Sequence, residues 1–188
     1  AGGVFAAAVM FEKVTEGLIK DLAILNDSKK LTAKKRESIY DIIKNNTLNK
    51  IVCVEVEEIE KINILNASLK AMNIVCSGIV KLIKNFEFNQ QYVIKGDSKS
   101  ASIAAASILA KVTRDRYMTK LHEEFPMYNW AKNAGYLTKE HLDAIDKYGL
   151  CKYHRPSFLR KHFLKQNSGN QHLITTDSPN LNFSSAGF

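Results

Sequence analysis

The chain of 188 residues has no apolar run long enough to cross a bilayer as a helix, which excludes a helical membrane-spanning protein. Its first residues, "AGGVFAAAVMF", also lack the basic region that opens a secretory signal peptide. Cysteine is sparse and odd in number: Cys53, Cys76 and Cys151, with no Cys-x-x-Cys pair. That pattern excludes a disulfide framework and points to reduced thiols in a cytoplasmic protein. Cys151 and His154 have a ligand-like spacing, but the other ligands of a closed zinc site are missing. A loop cysteine and a loop histidine are the expected roles. No internal repeat is visible. Acidic residues are the minority, 19 against 27 Lys and Arg, for a net charge of +8. The cations gather in "KKLTAKKR" (29–36), "KVTRDR" (111–116) and "CKYHRPSFLRKHFLK" (151–165). Such a surplus favours polyanionic partners, nucleic acid first, although a merely solvated surface has the same composition.

What is present is a mixed α/β pattern in one domain, or one domain with a tail. The apolar run "VFAAAVMF" (4–11) reads as a buried strand. Turn chemistry in "LNDSKKL" (25–31) precedes Thr32, the expected cap of a helix carrying Ile39, Ile42 and Ile43 on one face. "KIVCVEV" (50–56) is a second strand. "EEIEKINILNASLKAM" then opens a helix in which Leu65, Leu69, Met72, Cys76, Ile79 and Ile83 keep a helical period. "QQYVI" (90–94) is a short strand entering a Lys95-Gly96-Asp97 turn. Segment 101–120 is a helix in which Ala104, Ala105 and Ala106 allow close approach to a sheet. "TKEHLDAIDKYG" (138–149) is a helix capped by Thr138 and ended at Gly149. Trp130 and Phe125 are assigned to the core, and His141 is not assigned as a general base. From Gln166 the chain is polar and rich in Asn and Ser. The expected division is a domain over 1–165 and a flexible tail over 166–188.

In the helix after the Lys-Gly-Asp turn, Lys111 and Asp115 lie four apart and share a face. Spacing alone makes them a surface ion pair worth a few tenths of a kcal/mol. Asp97, similarly, is a turn residue or the cap of the following helix. Tyr136 in "GYLTKEH" is either a core-capping tyrosine or an exposed aromatic platform.

The ordered strings "AGGVFAAAVM", "LNDSKKL", "INILNASLKAM", "KGDSKSASIAAASILAKVTRDR", "NAGYLTKEHLDAIDKYG" and "HRPSF" resemble the bacterial type 2 ribonuclease H (ribonuclease HII) family. The resemblance covers about residues 1–163. It implies a ribonuclease H-like fold, a mixed β-sheet flanked by helices. It also implies an endonuclease that cuts the RNA strand of RNA–DNA hybrids and cleaves at ribonucleotides embedded in DNA, acting as a monomer. The implied chemistry is metal-assisted hydrolysis with Mg²⁺ or Mn²⁺ held by several carboxylates. Asp115 matches the family's last catalytic, metal-binding carboxylate. Tyr136 matches the tyrosine that senses the ribose at an RNA–DNA junction. Asp27, Ser28 and Lys29 match a loop near the nucleic-acid backbone, and Lys29 and Arg155 are expected phosphate contacts.

Departures from the family pattern set further expectations. The family's first strand, with Asp-Glu and Gly-Arg-Gly, would precede Ala1, so the domain is expected to be incomplete at its amino end. The stretch before Lys95-Gly96-Asp97 is about a strand too short, and Lys84-Asn85 stands where the family has a metal-binding Asp-Gly. Glu87 is the only carboxylate from Lys61 through Gly96. Three expectations stay open: a fragment of an active enzyme, a relative that binds hybrids without cutting them, and a generic basic nucleic-acid-binding module.

Overall fold

The computed structural model describes residues 1–23, 25, 31–83 and 93–169, the last five without their side chains. Two compact units divide the chain after Arg155. The second contains one described helix, α7 (Pro156–Gly169), which reaches into the stretch expected as tail.

The centre of the first unit is an antiparallel pair, β1 (Val4–Met10) and β2 (Leu48–Val54), in register from Val4 opposite Val54 to Met10 opposite Leu48. Alternation along a strand sends successive side chains to opposite faces. Val4, Ala6, Ala8, Val52 and Val54 therefore meet α3 (Val56–Val80), through Ile59, Ala67, Ala71 and Val75. Ala7, Val9 and Ile51 meet the opposite layer, made by α2 (Ala33–Asn45) and α4 (Ala101–Glu124). That layer buries Ile39, Tyr40 and Ile43 against Ala104, Ala105, Ile108, Leu109 and Val112. The pair is thus sandwiched between helices, as the mixed α/β pattern predicts. Among the described residues the sheet has two strands; the stretch expected as a strand at 90–94 falls largely outside them.

Local chemistry explains the helix starts. Thr32 Oγ1 accepts from Lys35 N–H at 3.3 Å to open α2. Thr138 Oγ1 accepts from His141 N–H at 3.3 Å to open α6 (Lys139–Tyr148), which Gly149 follows with φ +80°. Each such bond satisfies an amide that the helix cannot pair internally. α4 is capped by Ser100 rather than Asp97, which sits in the preceding single turn Gly96–Ser98. The short α1 (Glu16–Leu22) is capped by Thr15.

Two sequence expectations need correction. β1 is a strand, but only Ala6 in it is buried; its other residues are half-covered, because among the described residues it is paired on one side only. In α3 the buried stripe is Ala67, Ala71, Val75 and Ile79, whereas Leu65, Leu69 and Met72 are exposed on the other side. The helix lies close on the sheet, so the position facing β1 takes alanine. Asn63 breaks α3 with φ 66°, and its side-chain oxygen accepts from Asn66 N–H at 3.1 Å, restarting the helix. The helix ends at Val80, before Ile83.

Candidate active site

α4 carries Lys111, Arg114 and Asp115 on the side that meets the turn between α5 (Trp130–Asn133) and α6. Lys111 Nζ lies 2.6 Å from Asp115 Oδ1, and both side chains keep about a third of their surface in solvent, 36% and 34%. Lys111 Nζ also stands 5.9 Å from the centre of the Tyr136 ring, and the Arg114 guanidinium 5.5 Å from it. Both are cation–π distances. Tyr136 is 62% exposed, so it does not cap the core.

Its backbone is tied on every side. Tyr136 N–H donates to Asn133 O at 2.9 Å, and Tyr136 O accepts from Thr138 N–H at 2.9 Å. The turn before it holds two consecutive residues at positive φ, Ala134 (47°) and Gly135 (78°). An alanine there is strained by about 1–2 kcal/mol. Arg114 offsets this by donating to Ala134 O at 2.9 Å and to Ala1 O at 3.3 Å. Buried Asn133 accepts from Gly135 N–H at 2.8 Å and donates to Tyr128 O at 2.7 Å. The Ala1 nitrogen donates to Gly135 O at 2.7 Å. A Cβ on Gly135 would come within 2.9 Å of Ala1 O and of Met118 Cε. Gly135→Ala is therefore expected to cost about 1–3 kcal/mol in urea unfolding and to displace Tyr136.

Arg155 is anchored to protein, with Nε on Gly2 O at 2.8 Å and Nη2 on Gly3 O at 3.0 Å. Gly2 N–H in turn donates to Tyr153 O at 2.8 Å. The start of β1, the 133–136 turn and the 151–155 loop are thereby fastened together. Asp27, Ser28 and Lys29 lie outside the described residues, as do Lys84, Asn85 and Glu87.

Behind Tyr136 is a polar centre in an aromatic core. His141 and His154 are buried, at 0% and 2% exposure, with their Nε2 atoms 3.1 Å apart. Burial holds both imidazoles below their usual value; for His154, with His141 beside it as the second cause, to about 4. Both are neutral in the folded protein near pH 7, and unfolding exposes them to protonation near pH 6.5. Stability is therefore full above that pH and falls as pH drops toward 4. His154 alone removes about 2 kcal/mol between pH 7 and pH 5, which urea unfolding at the two pH values would read directly. Cys151 Sγ lies 3.3 Å from His154 Nδ1, and burial raises the thiol above its usual value, so it is no nucleophile at neutral pH.

A divalent ion of the magnesium type needs several oxygen ligands. Among the described residues no three His, Cys, Asp or Glu side chains are grouped to hold one, and Asp115 is already paired with Lys111. These residues do not by themselves fit a Mg²⁺ or Mn²⁺ site. No described helix is long and apolar enough to cross a membrane. Sequence reasoning marked Asp115 and Tyr136, which the structure brings together through Lys111. It missed Arg114 as the anchor of the Tyr136 turn; its place beside Asp115 in a cation cluster was the available signal. It also missed the histidine pair, for which sequence spacing carries no signal.

Residues 1–166 match the sequence model of the family described as Ribonuclease HII. The chain is similar to a protein named Ribonuclease HII from Caldicellulosiruptor bescii, 44% identical over 173 residues that span 85% of this chain and 81% of that one. A protein of the same name from Pelagibacter ubique is 46% identical over 173 residues, 84% of this chain and 88% of that one. Among solved structures, the ribonuclease H2 from Pyrococcus horikoshii OT3 matches with a TM-score of 0.59 over 88% of this chain and 98% of that chain. At 20% sequence identity this likeness speaks for the fold.

Proposed function

The chain belongs to the ribonuclease HII family, a family of enzymes, and from that premise we propose that it hydrolyses the RNA strand of RNA–DNA hybrids and nicks duplex DNA at embedded ribonucleotides. The observation that carries this reading is the joining of Asp115, Lys111, Arg114 and Tyr136 on one surface. Lys111 and Arg114 attract a phosphate backbone, with the salt dependence that counterion release imposes. Tyr136 offers an exposed ring to a sugar or base, where the 2′-hydroxyl distinguishes RNA from DNA. Asp115 offers a carboxylate beside the scissile phosphate, an acceptor for the proton of an attacking water. Lys111 offsets its repulsion toward that phosphate. Asp27, Ser28 and Lys29 meet the nucleic-acid backbone in this reading, while Arg155 serves mainly to hold the start of β1.

A second reading, binding without cleavage, is supported by the ion pair with Lys111 that already occupies Asp115. One assay separates the two. An RNA–DNA hybrid labelled on its RNA strand is incubated with the protein and Mg²⁺ or Mn²⁺, beside the matching DNA duplex. RNA fragments from the hybrid and none from plain DNA are expected. Tight hybrid binding with no fragments supports the second reading, and no fragments together with equal affinity for hybrid and plain DNA overturns both.

A further inference from the structure

The two buried histidines admit one arrangement of protons. Tyr136 O only accepts, so His141 Nδ1, 2.8 Å away, carries a hydrogen. A neutral ring then has a bare Nε2, which Trp130 Nε1–H reaches at 3.1 Å. His154 Nε2 faces that same bare nitrogen and must carry the hydrogen between them, sharing the lone pair of His141 Nε2 with the indole N–H in a three-centre bond. Its Nδ1 is left to accept from Cys151 N–H at 3.0 Å. The chain of bonds runs from the Tyr136 backbone through His141 and His154 into the 151–155 loop. Through Arg155 and the Tyr153 carbonyl, that loop holds Gly2 and Gly3. An exposed ring on so restrained a backbone is a preorganised recognition element.

We propose that the His141–His154 pair is a positioning device, locking the carbonyl of Tyr136 so that its ring is preset for a ribonucleotide. This rests on the reading in which Tyr136 meets the ribose. Neither histidine touches substrate; both act through Tyr136. His141→Asn keeps an amide N–H where Nδ1 stood, whereas His141→Leu keeps bulk and removes the donor.

The test is fluorescence anisotropy without divalent ions, comparing a DNA duplex containing one ribonucleotide with the same duplex in all-DNA form. Wild type is expected to prefer the ribonucleotide duplex, and His141→Asn to retain that preference. His141→Leu should lose it by about tenfold, the worth of one positioned hydrogen bond, with all-DNA affinity unchanged. Preference retained by His141→Leu, or lost equally by both variants, overturns the positioning role while leaving the functional reading intact. A wild type with no preference between the duplexes overturns the reading and this proposal together. Should the leucine variant fail to fold, nitrogen-15 imidazole spectra of the wild type decide. A hydrogen on Nδ1 of His141 and on Nε2 of His154 at pH 7 supports the network, and any other pair of tautomers refutes it.

Discussion

Replacing Trp130 with alanine is expected to destabilise the first unit by about 3–5 kcal/mol, the cost of emptying a tryptophan-sized space in a packed core. The indole is fully buried. It stacks on Tyr128 at 5.0 Å between ring centres and meets Phe125 at 5.8 Å, His154 at 5.3 Å and Tyr153 edge-on at 6.3 Å. Its N–H is also a hydrogen-bond donor to His141 Nε2. The substitution thus opens a cavity and leaves a buried histidine with one donor fewer. Since whole domains are stable by only about 5–15 kcal/mol, the variant should melt roughly 6–20 °C lower. Trp130→Phe, which keeps much of the bulk, should lose far less. A melting temperature unchanged in Trp130→Ala would mean that the aromatic cluster is not the support of the 130–136 segment.

The fold was legible where local chemistry and period agree. Thr32 and Thr138 sit before periodic segments and cap them. The alanines of α4 mark a helix pressed against its neighbours, as the burial of Ala104 and Ala105 shows. α3 was not legible in the same way. Its leucines and Met72 have the better apolar period, yet proximity to β1 selects alanine for the inner face and leaves the large side chains outside. Sequence patterning ranks residues by hydrophobicity, whereas the helix–sheet distance ranks them by size.

For the site, ordered motifs led to Asp115 and Tyr136, and an interval of four residues led to the Lys111 pair. What holds Tyr136 in place was not legible. Arg114 reaches Ala134 and Ala1, far away in the chain, and His141 meets His154 across a loop. Such pairs exist only once the tertiary structure has formed. Arg155 illustrates the same limit: its bonds to the carbonyls of Gly2 and Gly3, at the other end of the chain, leave no mark in the local sequence.

Asp115→Asn is the second large effect. The substitution keeps size and one acceptor oxygen but removes the charge and the pairing with Lys111 at 2.6 Å. In the proposed reading that carboxylate takes part in the chemical step, so cleavage should fall by about 10²–10⁴-fold, the usual span for such a group. Hybrid affinity should stay largely intact, because removing a negative charge beside Lys111 does not weaken attraction to phosphate. The decisive measurement uses a DNA duplex with a single ribonucleotide, incubated with Mg²⁺ or Mn²⁺ and each protein, with products resolved at single-nucleotide length. A nick 5′ to the ribonucleotide by the wild type, absent with Asp115→Asn although that variant still binds, is the predicted result. Equal nicking by both proteins would contradict it and remove Asp115 from the mechanism.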